Sequence, residues 1–268
     1  MISVVTRHGV RSGGHIVILL ICTLVLFVST ASVRADEIRV FSGGAPQQVL
    51  RAVTPEFEKA TGHKMNFTFA LVTAIKQKLA GGEKADLILL PVPLIAVTEK
   101  TLALRPEGRI VLARVGIGVI AREGTARPDI STSDAVRKVL LDARTVAFPD
   151  PNTPSGAHLT RMIAQLGIAD AMRPKLVIKA AIDGGAELVA KGEADVGMYL
   201  LSEVQSVKGI TVVGLLPSSL QSFVVYGTAV PASNATPGPA VAFVKFVSEA
   251  SKRDRWKAAG FEMMGMSN

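Results

Sequence analysis

The sequence predicts an α/β chain folded as two lobes, each a mainly parallel sheet flanked by helices. Three observations carry that prediction. Apolar or alternating stretches of strand character recur between stretches with helical spacing, the pattern of a parallel sheet with helices on its faces. Glycines and prolines fall at the junctions, where they end one element and turn the chain into the next. Two Val-rich stretches, Arg109–Ala121 and Phe223–Val230, stand apart. The first is too long for an ordinary strand of about five or six residues, and the pair fits two strands that cross between lobes.

The first 35 residues read as an export signal. Arg7 and Arg11 precede an almost unbroken apolar run from Ile16 to Val28, and Val33-Arg34-Ala35 offers small residues for cleavage. The run falls short of the ~20 residues that span a bilayer, so a cleaved signal is expected in place of an anchor. Cleavage after Ala35 removes three arginines and no acid, and lowers the formal charge from +8 to +5. The single cysteine, Cys22, leaves with it and carries no lipidation signal. The exported chain then has no disulfide, thiol nucleophile or thiolate metal site. What remains is long enough to bury a large core. A modest positive balance suits an anionic ligand or a solvated basic surface. No Lys/Arg stripe is interleaved with aromatics, so nucleic acid is not an expected partner.

Ile38–Phe41 is strand-like and breaks at Ser42-Gly43-Gly44. Gln47–Ala60 reads as a helix, with Val49, Val53 and Phe57 on one face, Pro46 in its first turn, and Gly62 as its stop. Pro55 falls inside that span and is expected to kink it or delay its start. Lys64–Phe69 alternates as a half-buried strand does. Thr73–Leu79 is a second helix, and Asp86–Leu90 an apolar strand ended by Pro91. After the long strand come a helix (Asp134–Asp142), a strand (Thr145–Phe148), a loop from Asp150 to Pro154, and a helix from Ser155 or Gly156 through Leu166. A strand (Leu176–Ala180) and a helix capped by Asp183 and stopped at Gly192 follow. Asp195–Leu200 and Thr211–Leu215 are strands. Phe223–Val230 returns between the lobes, and helices over Ala240–Glu249 and Lys252–Ala259 close the chain. The expected division is a signal over 1–35, lobe I over 36–116 and 225–268, and lobe II over 117–224.

Several familiar signals fail on context. Gly116-Ile117-Gly118-Val119-Ile120-Ala121 matches a dinucleotide fingerprint by letter but lies inside a Val/Ile run and opens no helix. His63 and His158, the histidines left after cleavage, lack the spacing of a metal site. No cofactor and no metal is expected. Asp86, at the start of a buried strand, suits a turn or a strand end better than a site. Trp256 and Phe261 read as core.

Four stretches share one design: Ser42-Gly43-Gly44-Ala45, Leu71-Val72-Thr73, Pro154-Ser155-Gly156 and Ile182-Asp183-Gly184-Gly185. Each follows a strand and precedes a helix. In open α/β sheets ligands bind at the carboxyl ends of strands, where helix N-termini present free backbone N–H groups. Any one stretch is what every α/β chain needs as a cap or turn. Four together suggest a cleft that holds an anion with backbone N–H groups and small hydroxyls.

In order and spacing the chain resembles the periplasmic molybdate-binding group among the solute-binding proteins of ABC importers. The resemblance runs from Ile38-Arg39-Val40-Phe41 through Phe57-Glu58-Lys59-Ala60-Thr61-Gly62, Ala80-Gly81-Gly82-Glu83-Lys84-Ala85-Asp86-Leu87, Asp150-Pro151, Leu188-Val189-Ala190-Lys191-Gly192-Glu193-Ala194 and Lys208-Gly209-Ile210 to Ala258-Ala259-Gly260-Phe261. It implies a two-lobed type II periplasmic binding fold and no enzymatic chemistry. It also implies closure over a molybdate-like oxyanion and delivery to an inner-membrane ABC permease by a periplasmic monomer. The family's ligand positions fall on Ala45 and Val72 where serines stand in the group, on Ser155 and Ile182 for backbone donors, and on Leu200 for a tyrosine. Ser42, Thr73 and Tyr199 lie nearby. The expected ligand set is therefore Ser42, Gly43, Gly44, Ala45, Leu71, Val72, Thr73, Ser155, Gly156, Ile182, Asp183, Tyr199 and Leu200. An organic carboxylate suits Ala45, Leu71 and Val72 about as well as an oxyanion does, and a ligand-presenting sensory subunit is a further alternative. An enzyme on the same fold, such as a tetrapyrrole-pathway deaminase, needs a cofactor cysteine that the exported chain lacks.

Overall fold

The computed structural model describes residues 36–264. The leader expected over residues 1–35 lies outside the described residues. Strand β1 (Glu37–Gly43) alternates at its start and becomes fully buried as it enters the core. Helix α1 (Gln47–Thr61) buries Val49, Leu50, Val53 and Phe57 on one face. It starts on schedule and runs through Pro55. It ends at Gly62, where φ is 75° and the N–H donates to the Glu58 carbonyl. Strand β2 (Lys64–Ala70), helix α2 (Val72–Ala80) and strand β3 (Leu87–Pro91) follow, with β2 and β3 parallel to β1 on its two sides. Helix α3 (Val92–Thr98) leaves β3 at once and has no counterpart in the sequence reading. Its Pro93 sits in the first turn, where no N–H is needed.

Strand β4 (Leu104–Arg122) is 19 residues long and carries both lobes. Its first part, to Gly116, pairs antiparallel with β9 (Phe223–Pro231). The short strand β10 (Phe261–Met263) pairs with that part too. From Ile117 onward its partner is β7 (Val196–Leu200), and from Gly118 β8 (Ile210–Leu215) joins it. At the change of partners the Gln221 side chain stands in for a strand. Its Oε1 accepts from Ile117 N–H at 2.9 Å and its Nε2 donates to the Ile117 carbonyl at 3.0 Å. The backbone groups that lose a ladder partner there stay satisfied.

The second lobe adds α4 (Ser133–Asp142), β5 (Val146–Phe148), α5 (Pro154–Gln165), α6 (Ala169–Met172), β6 (Leu176–Ile178), α7 (Gly185–Lys191) and α8 (Leu201–Val204). Thr132 caps α4 by accepting from Ala135 N–H. Asp183 does not cap α7. It lies in a 3₁₀ turn, Ala181–Asp183, and Gly184, at φ 91°, opens the helix with no side-chain cap. Helices α9 (Pro237–Ser248) and α10 (Arg253–Ala258) return to the first lobe.

The strand order is β2-β1-β3-β9-β4-β7-β5-β6. The outer strands are parallel, and the crossing pair enters antiparallel. Each lobe repeats one anchor between neighbouring parallel strands. Arg39 in β1 grips Asp86 through its backbone N–H at 2.9 Å and through its guanidinium at 3.0 and 3.1 Å. Arg144, before β5, grips Asp195, before β7, with the same three groups. Asp86 therefore has a structural partner. In the core, Trp256 is fully buried, donates to the Val247 carbonyl and meets Phe261 edge-on at 5.1 Å. Phe261 meets Tyr226 edge-on at 6.0 Å, which fixes that ring on the crossing strand.

Candidate functional site

The strand-to-helix junctions of both lobes converge on one cavity. Gly44, from the β1–α1 turn, and Leu71 and Val72, from the β2–α2 turn, form one wall. Asp150, Thr153 and Ser155, before and within the first turn of α5, form the opposite wall, with Ala180 to Ile182 after β6. Leu200 and Glu203, from the β7–α8 junction, and Val224 and Tyr226, from β9, form the floor. Its volume is about 30 Å³, room for only a few waters. A wider cavity of about 390 Å³ shares Gly44, Ala181, Ile182 and Glu203 with it and adds Gln47, Arg51, Glu187 and Ser202. Ile182 is the lip between the two. Its Cδ1 lies 3.2 Å from where a Cβ on Gly44 would stand.

Of the residues expected from sequence, Gly44, Leu71, Val72, Ser155, Ile182 and Leu200 line this cavity. The others stand behind it or beside it. Ser42 is fully buried and donates to the Gly43 carbonyl at 2.9 Å. Gly43 packs against Val72 and Tyr226, where a Cβ would come within 3.0 Å of the valine. Ala45 belongs to the hydrophobic core, Thr73 lies one step along α2, and Asp183 is exposed. Gly156 leaves no space for a Cβ against the Asp150 carbonyl. Tyr199 is fully buried on the opposite face of β7 from Leu200, and its hydroxyl donates to the Lys179 carbonyl at 2.9 Å.

Two polar groups of the cavity escaped sequence reasoning. Tyr226 is 2% exposed, and its hydroxyl has no hydrogen-bond partner among the described residues. Its ring edge and hydroxyl lie 3.3 and 3.4 Å from the position of a Gly43 Cβ. Burial pushes this phenol well above its usual value, and the Glu203 carboxylate adds to the shift, so it stays protonated as a donor. Glu203 is the second group. Burial pushes its carboxyl up to about 7, partly offset by a hydrogen bond from the Leu200 backbone N–H. Burial, then the charges of Glu203 and Glu187, also push Tyr199 upward. A tyrosine in an otherwise Val-rich crossing strand was the available signal for Tyr226. Glu203 had none, because α8 is a single short turn.

Other polar groups are already engaged. Thr153 caps α5, donating to the Asp150 carbonyl and accepting from Gly156 N–H. The Asp150 carboxylate accepts from the backbone and side chain of Asn152. Ser155 is 5% exposed, with Thr153 Oγ1 as its hydroxyl's neighbour at 3.5 Å. Its backbone N–H, in the first turn of α5, has no intrahelical acceptor.

A two-lobed α/β chain with its cavity at the strand ends between the lobes has the architecture of a solute-binding protein. The chain belongs to the bacterial extracellular solute-binding protein family, whose model matches residues 38–262. It is 31% identical over 215 residues to an aconitate isomerase of Pseudomonas sp, covering 78% of this chain and 81% of that one. It is 26% identical over 211 residues to a molybdate-binding protein of Escherichia coli (strain K12), covering 76% and 81%. Among solved structures, the periplasmic molybdate-binding protein of Azotobacter vinelandii superposes with a TM-score of 0.70 at 18% identity, over 85% of this chain and 100% of that one. The fold is thus the type II periplasmic binding fold.

Proposed function

We propose that this protein closes its cleft over a small organic carboxylate, as the extracytoplasmic solute-binding component that serves an ABC permease. One observation carries this reading: hydrocarbon side chains make up a large part of the cavity lining and no lysine or arginine belongs to it. Leu71, Val72, Ile182, Leu200 and Val224 face it, with few free donors among them. A tetrahedral oxyanion presents acceptors on every side, and each one buried without a donor costs about 1–3 kcal/mol or more. A carboxylate needs donors at one end only. The Tyr226 hydroxyl, the Ser155 hydroxyl and free N–H groups of the helix turns supply them, and the hydrocarbon part packs on the apolar wall. The relative named for aconitate, a tricarboxylate, supports the same ligand class.

At about 30 Å³ the cavity is too small for such a ligand as it stands, so binding requires the lobes to part and close again, bending where β4 changes partners. The protein acts as an exported monomer. A thermal-shift screen tests the reading, because a ligand that binds the native state alone raises the melting temperature. Aconitate, citrate and shorter dicarboxylates are expected to raise it, and molybdate, tungstate, sulfate and phosphate to leave it unchanged. A shift with molybdate and none with any carboxylate overturns the proposal.

A second reading, chemistry on the bound ligand, is favoured by the Glu203 carboxyl inside the cavity and by the isomerase relative.

A further inference from the structure

A third cavity, of about 560 Å³, lies at the end of the second lobe away from the cleft. Its lining includes Ala121, near the end of β4, and Val196, which starts β7. Leu200, at the other end of β7, is in the cleft, about 13 Å away along the strand. The loop from Thr125 to Asp129 and one face of α4 complete the lining. That face carries Ala135, Lys138, Val139 and Asp142, at helical spacing. Every lining residue falls in 121–143 or 195–196, so the cavity does not depend on closure of the cleft. Its volume is in the range of about 300–1,000 Å³ that small-molecule sites occupy.

The charge here runs against that of the whole chain, which has 30 lysines and arginines against 22 acids. Three carboxylates line the cavity, Asp129, Asp142 and Asp195, with one amine, Lys138, and no arginine. Two of the three are already paired. Asp142 meets Lys138 Nζ at 2.6 Å, and Asp195 accepts from the Arg144 backbone N–H at 2.7 Å and its guanidinium at 2.9 Å. Asp129 accepts from the Ser131 backbone N–H at 2.9 Å and has no cation within ion-pair reach among the described residues. Hydrogen bonding from Ser131 holds its carboxyl below the usual value, so it is ionised. Pro128, Val139, Ala143 and Val196 add hydrocarbon to the same lining.

We propose that this cavity is a second ligand site, which takes a small organic cation with its ammonium against Asp129 and its hydrocarbon body on Val139, Ala143 and Val196. An anion is repelled by the three carboxylates. A neutral apolar molecule covers the Asp129 charge without pairing it, which costs free energy. An alkylammonium pairs the charge and covers the carbon together. The proposal stands independently of what the cleft binds.

Calorimetric titration of the purified protein with propyl-, butyl- and hexylammonium tests it, with amide-shift NMR to place the ligand. Hexylammonium is expected to move the resonances of residues 125–143 and 195–196 and to leave those of Gly44 and Ser155 unmoved. Affinity is expected to rise about three- to fourfold per added methylene, and 1-hexanol to bind more weakly than hexylammonium. Asp129→Asn keeps an acceptor for the Ser131 N–H and is expected to lose about fivefold or more in affinity for hexylammonium. Ala126→Trp, at an exposed loop position in the lining, fills the cavity and is expected to abolish binding. Both variants should melt close to the parent. No ammonium binding at millimolar concentration, parent affinity in Asp129→Asn, or 1-hexanol binding as tightly as hexylammonium overturns the proposal. Binding of a lysine-rich amphipathic peptide with no binding of hexylammonium also overturns it, and assigns the cavity to a protein partner. None of these outcomes bears on the carboxylate reading, which titration of the cleft decides separately.

Discussion

Ile182 closes over Gly44. Its Cδ1 sits 3.2 Å from the point a Cβ at residue 44 would occupy, and both residues line the inner and the wider cavity. A glycine is required there by space and not by backbone angle. A single methyl presses on the movable end of the isoleucine, whereas anything larger holds the lobes apart. Gly44→Ala is expected to cost less than tenfold in ligand affinity. Gly44→Asp is expected to cost more than a hundredfold, about 2.7 kcal/mol or more, by bulk and by placing a charge against an anion. Both variants should melt close to the parent in the absence of ligand. Calorimetric titration with the screened ligand checks the pair, and parent affinity in Gly44→Asp would place the ligand elsewhere.

Tyr226 offers a cleaner deletion. Its ring is held edge-on by Phe261, and its hydroxyl makes no hydrogen bond among the described residues. Tyr226→Phe is expected to leave the melting temperature unchanged and to weaken ligand binding by roughly 10–100-fold, the worth of one hydrogen bond to a charged group. Equal affinity in the two proteins would mean that the hydroxyl does not reach the ligand.

Gln221 tests the crossing. Its amide pairs with both backbone groups of Ile117, where β4 leaves β9 for β7. Gln221→Ala leaves the Ile117 N–H without its acceptor, while the carbonyl keeps the Leu216 N–H at 3.1 Å, and is expected to destabilise the fold by about 1–3 kcal/mol. Because it also loosens the bending point, the ligand-induced compaction seen by small-angle scattering should change. Urea unfolding within error of the parent would show that the surrounding strands satisfy Ile117 without it.

Glu203 makes stability depend on pH in a definite direction. Its folded value, near 7, is raised above the ordinary glutamate value of about 4.3. Between those values the native state binds more protons than the unfolded state, so stability falls as pH rises through that window. Glu203→Gln removes this loss. The variant is expected to melt a few degrees above the parent at pH 8 and level with it at pH 4. Parallel melting curves for the two proteins across that range would show that the carboxyl is not perturbed by burial.

The alternation of strand and helix, a long crossing strand over Arg109–Ala121 (Leu104–Arg122 in the structure), the stop at Gly62 and the core roles of Trp256 and Phe261 follow from period, length and punctuation, which are local properties of the chain. Sequence could also point to Gly44, Leu71, Val72, Ser155, Ile182 and Leu200, because a strand that turns into a helix exposes its junction wherever the sheet lies. The short helices α3 and α8 were illegible, since neither is long enough to show a helical period. What the tertiary structure alone decided is which polar groups meet. Tyr199 and Leu200 are one residue apart, and only strand pairing assigns the hydroxyl to Lys179 and the leucine to the cavity. Tyr226 and Glu203 come from different elements, with β8 between them in the chain. Their shared cavity, and the burial that sets their protonation, exist only once both lobes are folded against one another.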